Sequence, residues 1–386
     1  MSIGPGRSGH LRTPFSALAK PTGALCNLAC AYCYYLPKGR LYDDDQAMSD
    51  DVLAAYLSNL LDSQPDGRVE ISWQGGEPTL RGLDFFRRAV ALARQLRRPA
   101  QRLAHVIQTN GTLLDDEWGE FLAEHGFLVG LSLDGPAELH DAYRVNKAGR
   151  GSHAQAVRGW WVLQRHGVET NILCAVHEAN QARPLDVYRY LRDELGARYL
   201  QFIPIVERDA ATSRGVAPEA WGRFLTTIFD EWVARDVGRV FVQHFDGMLG
   251  NLFGRYSVCV HAPRCGTAVV VEHTGDVYSC DHFVEPGHLL GNVMTTPLSE
   301  LVTSEFQRRF GADKLDGLPG MCLACPVRWA CHGGCPKDRF LTTPGGEPGL
   351  NYLCAGYLGF FTHATPAIQA IARLLEDGRE AADVMA

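Results

Sequence analysis

The sequence predicts an α/β fold: a full or partial barrel of six strand-plus-helix units, then a small cysteine-rich domain with a β-hairpin and a C-terminal helix. Three observations predict it. Short apolar runs alternate with amphipathic stretches up to about residue 205, the pattern of strands and helices in series. The run ERDAATSRGVA at 207–217 then breaks that pattern as a linker would. Beyond it, eight of the twelve cysteines crowd between Cys259 and Cys354, among short strands and turn signals.

Taken in order, a first strand is expected at 18–22, just ahead of a cysteine loop, followed by strands at 69–73, 105–108, 128–133, 171–176 and 199–203. Helices are expected at 50–62, 83–96, 115–124, 153–165 and 184–195. Ser49 is a good N-cap for the first of these, with Asp50 and Asp51 favourable in its first turn. Repeated strand–helix units imply parallel strands joined by right-handed crossovers. A doubly wound open sheet competes with the barrel, and both place functional residues at the carboxyl ends of strands. The expected organisation is a barrel over 1–205, a linker and connecting helix over 206–250, the cysteine-rich domain over 251–365, and a C-terminal helix and tail over 366–386. The connecting helix should span 218–235, the hairpin 269–280 with its turn at Thr274-Gly275-Asp276, and the last helix 366–375.

Composition narrows the function. With 46% hydrophobic and 21% charged residues, the chain reads as an ordinary soluble protein. A formal charge of -7 offers no general attraction to nucleic acid or anionic lipid. No run is long and apolar enough for a bilayer, and the first 25 residues lack a secretory signal, so no membrane partner and a cytoplasmic location are expected. In that compartment clustered thiols read as metal ligands before disulfides.

The motif Cys26-x3-Cys30-x2-Cys33 places three thiolates in one short loop. Three thiolates can hold three irons of a 4Fe–4S cube and leave the fourth for a small chelating molecule, whereas structural zinc wants four protein ligands. Cys174 lies in the apolar run Ile172-Leu173-Cys174-Ala175-Val176 and reads as core filler. The downstream cysteines run Cys259-x5-Cys265-x14-Cys280, then Cys322-x2-Cys325-x5-Cys331-x3-Cys335-x18-Cys354. Eight thiolates make two full sets, suited to electron transfer, while two zinc sites remain the competing reading.

The loop, together with Trp73-Gln74-Gly75-Gly76-Glu77-Pro78 one strand later, resembles the radical S-adenosylmethionine superfamily, whose fold is a partial (β/α)6 barrel. That resemblance implies S-adenosylmethionine as cofactor, held by Gln74, Gly75, Gly76 and Glu77, by Ser132 and Arg144, and by Tyr32 against the adenine. The glycines are expected to let backbone groups approach the methionyl amine. Leu200 could line the same pocket or be a plain core leucine.

The later cysteines, with Cys265-Gly266, the segment 275–283, Leu290-Gly291-Asn292, Gly333-Gly334-Cys335-Pro336-Lys337 and Asn351-Tyr352-Leu353-Cys354, are similar to the SPASM auxiliary-cluster domain, and within it to anaerobic sulfatase-maturating enzymes. The runs Ala19-Lys20-Pro21 and Gln201-Phe202-Ile203-Pro204 look like that group too. The resemblance implies three 4Fe–4S clusters, one binding the cofactor and two auxiliary. It assigns Cys259, Cys265, Cys280 and Cys335 to one auxiliary cluster, and Cys322, Cys325, Cys331 and Cys354 to the other.

It further implies a sulfatase or other peptide substrate, a flavodoxin- or ferredoxin-like reductant, and oxidation of a cysteine or serine side chain to Cα-formylglycine after a 5′-deoxyadenosyl radical removes a Cβ hydrogen. Asp281, beside Cys280, matches the group's proposed base, and burial is expected to raise its pKa. A structural aspartate capping the turn and a base at His282 are the alternatives. Tyr35, Gln74 and Asp134 are expected as lining groups for the peptide. A SPASM enzyme that crosslinks or otherwise modifies a ribosomal peptide is the rival function. Fewer than thirty residues precede Cys26, which is short for the recognition module such enzymes often carry.

Overall fold

Short, largely buried runs form the strands, and a computed structural model describes Leu11 and residues 14–43, 47–208 and 214–385. Residues 209–213 of the expected linker lie outside the described residues. In chain order the main elements are β1 (Ser16–Ala19), α1 (Asp50–Ser63), β2 (Gly67–Trp73), α2 (Leu83–Leu96), β3 (Gln101–Thr109), α3 (Asp116–Glu124), β4 (Phe127–Ser132), α4 (Ala137–His140), α5 (His153–Arg165), β5 (Glu169–Val176), α6 (Pro184–Arg189), β6 (Tyr199–Pro204), α7 (Pro218–Arg235), β7 (Phe241–Val242) and α8 (Gln243–Leu252). Then come β8 (Ala268–Val271), β9 (Asp276–Tyr278), β10 (Leu289–Asn292), α9 (Leu298–Thr303), α10 (Glu305–Asp316), α11 (Gly320–Leu323), α12 (Arg328–Cys331), the short pair β11 (Leu341–Thr342) and β12 (Pro348–Leu350), and α13 (Cys354–Glu376).

The chain forms two compact units that interleave along the sequence. The first comprises the chain to Leu131, Arg144–Thr170 and Cys265–Ala312. Its strands β1, β2, β3 and β4 are parallel neighbours in sequence order. The outer edge of β1 is taken by β8, which pairs with it in parallel from Ser16↔Ala268 to Ala19↔Val271. The expected hairpin forms between β8 and β9, with β10 beyond, so three strands from the cysteine-rich region cover an edge that would otherwise be bare. The helices close the other side. Ser49 caps α1 by accepting the Val52 N–H at 3.2 Å, and Asp115 caps α3 by accepting that of Trp118 at 3.0 Å. Between them Tyr56, Trp73, Phe85, Phe86 and Trp118 pack edge to face, and all are buried.

The second unit comprises Ser132–Tyr143, Asn171–Arg264 and the chain from Asp313. Here β5, β6 and β7 are parallel, with Ile172↔Leu200 and Leu200↔Val242 in register. The longest helix, α13, begins at Cys354 and runs 23 residues, whereas the sequence predicted 366–375 only. Pro366 therefore lies inside it, a position that reads as a helix start because proline removes an interior N–H. The missed turns are explained by packing. A Cβ on Gly356 would lie 2.1 Å from the Pro218 carbonyl, so glycine lets α13 press against α7 closely enough for apolar burial to outweigh glycine's poor helix propensity. The expected helix at 184–195 is α-helical only over α6 and widens into a π turn at Tyr190–Glu194.

Candidate active site

The cysteine loop follows the carboxyl end of β1 and is held by backbone pairing, with Leu28 bridging Asn146 and the Ala29 N–H donating to the Val145 carbonyl at 2.8 Å. This pairing carries the neighbouring Arg144 to 5.5 Å above the Tyr32 ring. A polar chain braces the first thiol. Asn110, at the carboxyl end of β3, donates to Asn27 Oδ1 at 2.9 Å and lies 3.8 Å from Cys26 Sγ, which also accepts the Leu28 N–H at 3.3 Å. Asn27 in turn donates to Thr112 at 2.8 Å. Burial, helped by the nearby Glu77, Cys30 and Cys33, pushes the Cys26 thiol up to about 12 against the Leu28 N–H.

The Gly75-Gly76-Glu77 turn lies against this loop. Gly76 N–H donates to the Gly23 carbonyl at 2.8 Å and Glu77 N–H to that of Leu25 at 2.9 Å. A Cβ on Gly76 would sit 2.1 Å from the Leu25 oxygen, so glycine lets the turn close on the chain ahead of the cysteine loop. Glu77 is buried, and its carboxylate accepts from Thr79 N–H, Thr79 Oγ1, Thr109 Oγ1 and Asn110 N–H at 2.6–3.0 Å. These bonds anchor the turn to the carboxyl end of β3. The Gln74 side chain is also engaged, accepting from Lys20 Nζ at 3.2 Å and donating to Gln108 at 2.5 Å.

Lys20 is 1% exposed, and a buried ammonium requires partners. Its Nζ lies 2.5 Å from Asp281 Oδ1 and 4.1 Å from the Tyr35 ring centre. The other Asp281 oxygen accepts from the Tyr34 hydroxyl, and Tyr35 donates to Glu272. Burial would raise the Asp281 carboxyl, but the Lys20 charge, the adjacent His282 and the hydrogen bonds from Lys20 and Tyr34 outweigh it and hold it below the usual carboxylate range. The expected upward shift is thus corrected: it neglected Lys20. The same carboxylate and burial push the Tyr34 hydroxyl well above its ordinary value. Tyr35 is buried, so its expected place in a peptide-lining surface is corrected as well. Cys265 and Cys280 also belong to this unit, and Gln307 ties their turns together by donating to the Gly266 and Ser279 carbonyls, each at 3.1 Å.

In the second unit Ser132 ends β4 and is buried, and Leu200 is a buried strand residue between Ile172 and Val242. Asp134 is fully buried and accepts the Ala175 N–H at 2.8 Å, a loop anchor and not a lining group. Cys174 is buried within β5. Cys322, Cys325, Cys331 and Cys354 line one hollow with Val327, Gly333, Asn351 and Leu358. Burial, with the other three thiols close by, pushes Cys331 up to about 12. Cys259 and Cys335 also lie in this unit, outside that lining.

Residues 21–191 match the Radical SAM superfamily, and residues 259–326 match SPASM, an iron–sulfur cluster-binding domain. The chain is 44% identical to a serine-type anaerobic sulfatase-maturating enzyme of Bacteroides thetaiotaomicron, covering 96% of this chain and 94% of that one. It belongs to the anaerobic sulfatase-maturating enzyme family. A cysteine-type member from Clostridium perfringens is 34% identical over 93% of this chain and 98% of its own. The structure of native anSMEcpe with bound AdoMet and Kp18Cys peptide aligns with a TM-score of 0.86 at 32% identity, covering 94% of this chain and 99% of that one.

The α/β fold is accordingly the radical SAM fold with a SPASM domain, and the cofactors of this sulfatase-maturating family are S-adenosylmethionine and 4Fe–4S clusters. The residues present fit them. Three thiols share the loop, with one backbone N–H already aimed at a sulfur, and four thiols share one hollow. Among the described residues no three His, Cys, Asp or Glu side chains are grouped for a single metal ion. In a four-iron cube each thiolate instead meets its own iron. Thiols pushed up by burial need that metal to remain ionised. Sequence reasoning missed Lys20 and Tyr34 as site groups. The available signal was a lysine directly after the apolar run Ala17-Leu18-Ala19, at the end of a strand whose surroundings leave solvent out of reach.

Proposed function

We propose that this enzyme oxidises a serine or cysteine side chain of a sulfatase-type peptide to Cα-formylglycine, with serine the expected target because the serine-type relatives are 38–44% identical and the cysteine-type ones 31–35%. Cys26, Cys30 and Cys33 would hold the cofactor-binding cluster, Cys259, Cys265, Cys280 and Cys335 one auxiliary cluster, and Cys322, Cys325, Cys331 and Cys354 the other. Tyr32, the Gln74-Gly75-Gly76-Glu77 turn, Ser132 and Arg144 would receive S-adenosylmethionine, with Leu200 lining the same pocket. When bound, these groups supply a 5′-deoxyadenosyl radical and an acceptor for one electron.

The observation that carries the reading for this chain is the Lys20–Asp281–Tyr34 group next to Cys280, in which the buried Lys20 meets a partly exposed carboxylate. Oxidation of –CH2–OH to an aldehyde removes one hydrogen atom, one proton and one electron. Asp281, kept ionised by Lys20, is the proton acceptor at the hydroxyl or thiol, and Tyr34 fixes the orientation of its second oxygen. With cysteine the product is a thioaldehyde, which water hydrolyses with release of sulfide. A flavodoxin- or ferredoxin-like donor in the cytoplasm would supply the activating electron. No helix among the described residues is long and apolar enough to cross a membrane.

The test is anaerobic turnover of paired peptides bearing S-x-P-x-R and C-x-P-x-R, with the aldehyde captured by a hydrazide probe. Aldehyde from the serine peptide at a rate equal to or above that from the cysteine peptide is expected. Aldehyde from cysteine alone would refute the serine preference, and cofactor cleavage without aldehyde from either peptide would point to a peptide-modifying maturase of another kind.

A further inference from the structure

Between Cys331 and Cys335 the backbone does something rare. His332, Gly333 and Gly334 take φ of 48°, 74° and 64°, and His332 is the one non-glycine residue with positive φ among those described. A left-handed histidine costs about 1–2 kcal/mol, so surrounding bonds must hold the turn. Its three carbonyls converge on Arg339. Nε donates to the Gly333 oxygen at 2.9 Å, and Nη2 to His332 at 2.9 Å and Gly334 at 3.3 Å. Nη1 reaches across to the Lys314 carbonyl at 2.6 Å. The fit is tight, since a Cβ on Gly333 would lie 2.7 Å from Arg339 Nη2. Only a planar guanidinium can donate to four such acceptors at once. Gly333, whose carbonyl the guanidinium holds, lines the same hollow as the four thiols, so the cation stands directly behind that wall.

We infer that Arg339 is the positioning residue for the cluster set of Cys322, Cys325, Cys331 and Cys354: its fork fixes the left-handed turn that aims Cys331, and its charge sets the potential of the iron those thiols hold. This rests on the reading of those four cysteines as one ligand set. A positive charge beside a cluster favours its reduced, more negative form, so the cation makes this cluster the readier electron acceptor.

The experiment compares reconstituted wild type, R339Q, R339K and a Cys322→Ala/Cys325→Ala reference by iron content and by redox titration followed with electron paramagnetic resonance. The reference identifies the relevant signal as the one it loses. If it loses neither iron nor signal, the ligand reading fails and the role of Arg339 falls with it. With the signal identified, R339Q is expected to shift its midpoint to a more negative potential while the other signals stay. R339K, keeping charge without the fork, is expected to hold the midpoint and broaden the line shape. The wild-type midpoint in R339Q together with the wild-type line shape in R339K overturns the proposal. Should R339Q not fold, as judged by circular dichroism, the line shape in R339K decides alone.

Discussion

The two cysteine neighbourhoods are built differently. The loop of Cys26, Cys30 and Cys33 has three thiols, hangs on backbone pairing to 145–146, and is ringed by polar groups: Asn27, Asn110, Thr112, Arg144. The set of Cys322, Cys325, Cys331 and Cys354 has four thiols in a hollow walled by Val327 and Leu358, and its neighbouring turn is clamped by a guanidinium. A three-thiol set among polar donors suits a cluster that must also bind a charged small molecule. A complete set of four thiols, in a hollow lined by Arg328 and Asn351 as well as Val327 and Leu358, leaves no iron open and suits a cluster that only changes charge. On the proposed assignment, thiol number and surroundings divide the labour between cofactor chemistry and electron uptake.

The comparison predicts unequal damage. Cys26→Ala should abolish 5′-deoxyadenosine formation altogether, measured by chromatography of the quenched reaction. Asp281→Asn should keep cofactor cleavage but lower aldehyde formation by about 10²–10⁴-fold, the usual worth of a positioned base. Removing Cys322 and Cys325 should also spare cofactor cleavage, with aldehyde yield falling about 10- to 100-fold, an effect on the scale of losing a metal site's supporting shell. Equal loss of cofactor cleavage in the first and third variants would erase the division of labour.

Much of this was legible beforehand, and what was hidden has physical causes. Periodicity gives β3 and α2 because each buries one regular face, and β2 shows as a short apolar run. It does not give β8 beside β1, since an edge pairing between residues some 250 apart leaves no local trace. The cysteine spacing announces two full sets but not which thiols share a hollow, because a fold can bring Cys354 to Cys322 as readily as Cys335. Lys20 and Asp281 are likewise unremarkable singly, and only their pairing makes each affordable in a buried place.

Smaller effects sharpen the account. β3 carries site residues at its carboxyl end and His105 at its midpoint, where burial, with His125 and Arg94 nearby, depresses the imidazole to about 4. Its unfolded value is about 6.5, so its neutral form adds stability that is complete above pH 6.5 and lost as pH falls to 4. His105→Phe should retain roughly 3 kcal/mol more stability than wild type at pH 4 relative to pH 7, by denaturant titration at both pH values. Gly76→Ala, forced against the Leu25 oxygen, should cost about 1–3 kcal/mol and lower the iron held by the three-cysteine loop. Gly359→Ala, in open space on α13, should instead raise stability by about 0.5–1 kcal/mol and leave iron content unchanged.

The most direct test uses a serine substrate peptide deuterated at Cβ and follows the label by mass spectrometry of the 5′-deoxyadenosine formed. Abstraction at the side chain predicts deuterium in 5′-deoxyadenosine, with an aldehyde at the labelled residue. Unlabelled 5′-deoxyadenosine from the Cβ-labelled peptide, with label transfer only from a Cα-deuterated one, would contradict it.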